Sequence, residues 1–204
     1  MTSVAARPAA AAVVVTAGFS EAERPEIARL YWQAFGGKLG RVLGPGPRAR
    51  AYLARAIRPG HALVARDAGG RILGVAGFRT VEGSFLGTER AAMAEVYGRG
   101  GAALRAGLMA LLASDTDNRR FLVDGIFVAP AARGRGVGTA LIAALVAEAG
   151  RRGHAELRLD VAAGNIRARA LYERVGFAET GAGRSRLSGL LFALPGWVTM
   201  VRAV

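Results

Sequence analysis

Cysteine is absent from this chain, and histidine nearly so, with only His61 and His154. No disulfide, thiolate metal site or cysteine nucleophile is therefore available. Two histidines far apart in sequence do not build a zinc centre, so each reads as a surface or loop residue and no metal is expected. Lysine is almost missing as well. Of the 28 basic side chains, Lys38 is the one lysine and the rest are arginine. No apolar run approaches the roughly 18 residues that a membrane span needs. Long internal repeats and low-complexity linkers are lacking, and no Gly-x-x-x-x-Gly-Lys-Ser/Thr occurs, which excludes a P-loop.

What is present bounds the answer further. The 204 residues are 52% apolar and 21% charged, a composition that suits one domain with a sizeable core rather than disorder. The formal charge of +13 favours anionic partners. The arginines are scattered through 48–58, 151–152, 167–169 and 184–186 rather than gathered in one run. No nucleic-acid module is recognisable, so no specific nucleic-acid partner is expected. Residues 9–18 resemble a weak signal peptide, but the stretch before them carries only Arg7, and Val13 to Val15 reads equally well as a first strand. Residues 1–10 are expected to be a flexible tail and 11–204 a single domain, soluble, cytoplasmic and without membrane contact.

Along the chain, Ser20 and Glu23 resemble a capping box, with Pro25 able to delay the helix start. Ile27, Leu30, Tyr31 and Ala34 recur at helical spacing, and Gly36, Gly37, Gly40 and Gly44 are expected to break the pattern. A second helix is expected over 48–57. Strands near 62–66 and 72–78 flank the hairpin turn Asp67-Ala-Gly-Gly70. Residues 81–120 form a long insertion with helical stretches at 89–96 and 102–113. That insertion is open to three uses: a packed lid, a homodimer contact, or plain core helix. A strand at 121–128, a helix ending at 150–153 and a strand at 156–161 make a β-α-β unit, expected to be parallel. A helix from Asn165 to Arg174 and strands near Phe177 and 197–202 finish the domain. The fold class is mixed α/β.

The densest signal lies between strand and helix: Val128-Ala-Pro-Ala-Ala-Arg133-Gly134-Arg135-Gly136-Val137-Gly138-Thr139. Glycines let backbone N–H groups approach a ligand, and the new helix offers unpaired N–H groups and its positive dipole end. With two guanidinium groups nearby, this is a receptor for a pyrophosphate. A Rossmann site is a rival, since Asp160 closes the next strand. Yet Thr139 stands where its third glycine belongs, and five residues separate Val128 from Gly134.

Val128, Arg133, Gly136 and Gly138 fit Val-x-x-x-x-Arg/Gln-x-x-Gly-x-Gly, which resembles the acyl-CoA pyrophosphate loop of the GNAT superfamily of N-acetyltransferases. Asn165-x-x-Ala168-x-x-Leu171-Tyr172-x-x-x-Gly176-Phe177 is similar to that family's second signature. The resemblance covers about 120–180 clearly and the remainder more weakly. It implies a single GNAT-like domain whose central, mostly antiparallel sheet is splayed at a parallel strand pair and flanked by helices. It implies acetyl-CoA as co-substrate and transfer of acetyl to a primary amine of a small molecule or peptide, by direct attack in a ternary complex. The alternative reading is a non-catalytic acyl-CoA sensor or interaction module.

The same resemblance assigns roles. Ile126, Phe127 and Val128 would lend main-chain groups to the pantetheine arm, their side chains filling the core as in any strand. Residues Arg133, Gly134, Arg135, Gly136, Val137, Gly138 and Thr139 would cradle the pyrophosphate. Asn165 would hydrogen-bond the pantetheine amides, although an ordinary N-cap is the commonest use of Asn at a helix start. Tyr172 would protonate the departing thiolate, a task that suits a phenol with an ordinary pKa near 10; packing is its plainer role. Asp124, placed two residues before Ile126 and so expected on the same face, is the leading general base, with structural hydrogen bonding as the alternative. Glu82 and Glu89 are weaker candidates. Trp32, Phe35, Phe85 and Tyr97 are candidates to line the acceptor pocket, each equally suited to the core.

Overall fold

The computed structural model describes residues 13–87, 90–110, 120–184 and 196–204. The expected tail at 1–10 lies outside them. The strands are β1 (Val14–Ala17), β2 (Ala62–Arg66), β3 (Ile72–Thr80), β4 (Gly83–Ser84), β5 (Phe121–Val128), β6 (Glu156–Ala162), β7 (Ala178–Arg184) and β8 (Gly196–Ala203). The helices are α1 (Arg24–Leu43), α2 (Gly46–Ala56), α3 (Arg90–Ala110), α4 (Val137–Arg151) and α5 (Ile166–Arg174). One sheet takes the order β1-β2-β3-β5-β6-β8-β7, with β4 alongside β3. Every pair is antiparallel except β5 with β6. The mixed α/β fold with a splayed parallel pair is as expected.

Alternation along the strands divides the core into two layers. From β2, Ala62 and Val64 join Ile27, Leu43, Leu53 and Phe127 on the face covered by α1, α2 and α3. Leu63 and Ala65 point the other way, to Val137, Leu141, Ile142 and Leu145 of α4. Each of those fully buried aliphatic side chains is worth about 1.5–3 kcal/mol of transfer free energy. Gly74 of β3 lets α4 come close: a Cβ there would stand 2.9 Å from the Phe127 carbonyl oxygen and 3.2 Å from Val137.

One alternative was realised and one expectation changed. The capping box of Ser20 and Glu23 forms, but it caps a short 3-10 turn, and α1 itself starts at Arg24 with Pro25 in its first turn. Helix α1 then runs through Gly36, Gly37 and Gly40 to Leu43 instead of ending. Tertiary packing outweighs the low helix propensity of glycine, which costs about 1 kcal/mol per residue: Leu39, Val42 and Leu43 are buried beyond those glycines. Gly36 also makes room for Trp32, whose ring would lie 2.9 Å from a Cβ at that position.

The insertion carries α3, broken at Gly98 where φ is 71°. Its described part packs on α1 and α2: Met93 and Ala102 are buried with them, and the Tyr97 hydroxyl donates to the Leu43 carbonyl at 2.7 Å. Among the described residues, no helix is long and apolar enough to cross a membrane.

Candidate active site

Strands β5 and β6 pair only over Phe121–Val123 and Leu157–Leu159. Beyond that point β5 stays with β3 as far as Val128, while β6 stays with β8 as far as Ala162. The two strands part, and the edge of β5 from Asp124 to Val128 that faces away from β3 has no ladder partner among the described residues. Unpaired strand edges are templates for another extended chain.

At the open end of this gap the chain turns through Pro130–Ala132 into α4. Gly134 and Gly136 adopt left-handed φ of 76° and 78°, where an L side chain is strained, and an added Cβ at either would meet no atom within 4 Å. Gly136 caps α4 without any side-chain acceptor. The N–H groups of the first turn are thus left for a ligand, at the positive end of a 15-residue helix. Gly138 has a different reason to be glycine: its Cβ would press on Leu171 of α5 at 3.3 Å. Helices α4 and α5 meet there.

A groove of about 560 Å³ joins these parts, lined by Val128, the 132–134 and 136–139 stretches of the turn, Asn165, Arg167, Ala168, Leu171 and Arg174. Among the described residues its charged lining is Arg133, Arg167 and Arg174, with no carboxylate. The shape and charge fit a pyrophosphate-bearing chain. The same family that this loop resembles is recovered by direct comparison: the acetyltransferase (GNAT) family profile matches residues 24–177.

The chain belongs to the GNAT family of acetyltransferases.

Solved structures agree on the fold. A histone acetyltransferase HPA2 and related acetyltransferase from Corynebacterium glutamicum superposes with a TM-score of 0.64 at 23% identity, covering 93% of this chain and 95% of that one. A ribosomal-protein-alanine N-acetyltransferase from Brucella melitensis gives 0.60 at 21%, covering 94% and 99%. A mosquito arylalkylamine N-acetyltransferase like 5b gives 0.59 at 19%, covering 95% and 100%. No curated protein matches the chain.

Within this GNAT domain, most of the residues singled out from sequence fall around the gap. Arg133 is exposed, and its Nε donates to the Val128 carbonyl at a long 3.4 Å, with no other donor of its guanidinium engaged among the described residues. Arg135 and Thr139 are exposed, and Val137 is buried beneath the turn. The Asn165 side-chain oxygen accepts from the Ala168 N–H at 3.2 Å, the ordinary N-cap bond, which leaves its amide nitrogen to donate elsewhere. Tyr172 is half-buried, its ring 5.6 Å from Phe177, and burial pushes its phenol above the ordinary range. It packs with the α4-side core rather than lining the groove.

Asp124 departs from expectation. Adjacent residues Gly77 and Phe78 of β3 face Gly125 and Val123 of β5, so Asp124 is the extra residue of a β-bulge. The bulge reverses the alternation: Ile126 and Val128 pack on the α4 side, like Val123, while Asp124 turns toward α1. Asp124 and Ile126 therefore do not share a face. The carboxylate is 14% exposed, accepts the Phe85 N–H at 3.1 Å and lies 3.2 Å from Arg79. Burial raises its pKa, and Arg79 and the amide donors only partly oppose that shift.

The α1 side of the bulge is aromatic. Tyr31 meets Phe127 edge-on at 5.5 Å, and Phe35 lies where a Cβ on Gly125 would be 3.0 Å from its ring. Burial, with the nearby Asp124 charge, drives the Tyr31 phenol up. Of the acceptor-pocket candidates, Phe35 and Phe85 are at the bulge, Phe85 through its N–H to Asp124. Phe85 is core at 1% exposure, Trp32 packs on Gly36 and Gly46, and Tyr97 stacks under Arg105. Glu82 pairs with Arg152 at 2.8 Å, remote from the gap, and Glu89 lies outside the described residues.

None of Arg167, Leu171 and Arg174 was assigned to the groove from sequence, Leu171 being quoted only within the second signature, although their i, i+4, i+7 spacing marks one face of a helix. Sequence reasoning also missed Arg79 and Tyr31. Nothing local in the sequence marks Arg79, because only strand register brings it to Asp124. Among the described residues, no cluster of three His, Asp or Glu side chains could hold a metal.

Proposed function

We propose that this protein transfers an acetyl group from acetyl-CoA to a primary amine of a small molecule or peptide, as a cytoplasmic enzyme. The observation that carries the reading is the uncapped, glycine-hooked start of α4 at the open end of the β5–β6 gap. Amide donors of 134–139 would hold the pyrophosphate, with Arg133, Arg135, Arg167 and Arg174 supplying charge around it. The free edge of β5 at Ile126, Phe127 and Val128 and the Asn165 amide nitrogen would hold the pantetheine arm. The arm then points the thioester toward the bulge, between α5 and the aromatic face of α1.

The amine nitrogen attacks the thioester carbonyl carbon, and the C–N bond forms as the C–S bond breaks. With no cysteine in the chain, direct attack in a ternary complex is the economical route. Tyr172 supplies a proton to the leaving sulfur; burial keeps that phenol protonated. An ammonium must lose a proton before it attacks, and Asp124, at the β5 bulge beside the gap, would take it. Its raised pKa makes it a better base than an exposed carboxylate, in spite of its Arg79 partner.

The test is free-thiol release from acetyl-CoA by the purified protein across a panel of alkylamines, arylalkylamines and peptide N-termini. Turnover with one class supports the reading and names the acceptor. Tight binding of acetyl-CoA without turnover on any amine would instead make the protein a sensor.

A further inference from the structure

Lys38 is the only lysine of the chain, and it sits where an ammonium is out of place. At about 3.6 residues per turn, Lys38 falls between Ile27 and Tyr31 around the α1 helix, inside the arc that faces the sheet. Ile27 is fully buried there, and Leu39 and Val42 are buried beside it. Tyr31, Phe35 and Lys38 follow one another at i, i+4 and i+7, along one face. The first two reach the bulge of β5: Tyr31 against Phe127, and Phe35 over Gly125. Lys38 is the next step of that stripe, one helical turn past Phe35.

The lysine is half-buried, and no hydrogen bond or ion pair engages it among the described residues. Most of the arginines that lie partly buried here do have partners, such as Arg24 on the Ala54 and Ile57 carbonyls, Arg66 on Glu23 and Arg152 on Glu148. Burial lowers the Lys38 pKa, with no carboxylate to oppose it, so more of the amine is neutral than at an exposed lysine. A neutral amine is the nucleophile that a thioester requires.

We infer that Lys38 is a self-acylation site, taking the acyl group from the donor held in the β5–β6 gap. The inference rests on the acetyl-CoA reading above. In the step, the Lys38 Nζ attacks the thioester carbonyl carbon, the C–N bond forms and the C–S bond breaks. The sulfur leaves with a proton, the nitrogen gives one up, and the products are Nε-acetyl-lysine and free coenzyme A. The modification also replaces a half-desolvated charge by a neutral amide, which the buried arc tolerates better.

The experiment incubates the full chain with acetyl-CoA in the absence of an amine, then reads intact mass and maps the acetylated peptide. Because the chain holds a single lysine, side-chain acetylation at Lys38 is told apart from the N-terminus by one peptide. The expected result is one acetyl group per chain on Lys38, absent in Lys38→Arg and suppressed by excess free coenzyme A. A small acetyl thioester that lacks the nucleotide, at the same concentration, should label Lys38 at least about tenfold more slowly, the loss expected when binding no longer positions the donor. Amine turnover with Lys38 unlabelled overturns the inference and leaves the acetyltransferase reading intact. Labelling that ignores coenzyme A, or that the small thioester matches, also overturns it, since bulk chemistry then suffices. Failure to bind acetyl-CoA at all overturns both.

Discussion

Gly136→Ala and Gly70→Ala form a matched pair that isolates the proposed phosphate cradle. Both glycines are left-handed, with φ of 78° and 80°, and an added Cβ at either would meet no atom within 4 Å. Each alanine therefore costs the same backbone strain, about 1–2 kcal/mol, with no clash. A domain of ordinary stability, about 5–15 kcal/mol, absorbs that loss. Denaturant titration should show equal destabilisation for the two variants. They differ only in place. Gly70 closes the β2–β3 hairpin, whereas Gly136 lies in the groove, where its Cβ would stand in the space a phosphate needs and tilt the first amides of α4. Losing one charge-assisted hydrogen bond there costs about 1.5–3 kcal/mol, or roughly 10–150-fold in Kd. Calorimetry with acetyl-CoA should show that loss in Gly136→Ala and wild-type affinity in Gly70→Ala. Equal affinity in the two, with stability losses matched, would refute the assignment of the cradle.

Three other outcomes follow from the geometry. Tyr172→Phe should lower kcat by about 10²–10⁴ with the acetyl-CoA Kd unchanged; an unaltered kcat in steady-state assays would remove the phenol from the mechanism. If Asp124 is the base, its raised pKa means that kcat/KM falls as pH drops through an ionisation above the ordinary carboxylate range. Asp124→Asn should abolish that acidic limb, and an identical pH–rate profile would leave Asp124 as only a partner for Arg79 and the Phe85 amide. In the fold itself, Gly77→Ala should destabilise by about 1–3 kcal/mol, because its Cβ would lie 2.6 Å from Cγ of the buried Phe85. Thermal melting with a Tm like that of the wild type would mean that Phe85 can move aside.

The two signatures were legible because their chemistry is local. A glycine hook and a helix N-terminus are encoded within a dozen residues, so Val128 to Thr139 could be read directly, as could the N-cap at Asn165. The α5 face was legible in principle, since Arg167, Leu171 and Arg174 obey helical spacing, but it faces the groove only because α5 docks against α4 at Gly138. Helix α1 shows the opposite limit. Three glycines argued for a break, and burial of Leu39, Val42 and Leu43 in the core shared with α2 and α3 overrode them.

The sequence by itself determined the class of fold, the parallel β5–α4–β6 unit and a glycine-rich turn at the start of α4, because each rests on contacts between near neighbours or on strict periodicity. Tertiary structure alone decided where Asp124 points, that Arg79 and Tyr31 attend it, and that Lys38 lies in a buried arc. Those depend on one inserted residue in the register of β5 against β3 and on how a helix rolls over a sheet. Both are properties of long-range packing, in which one step of register reverses every side chain that follows.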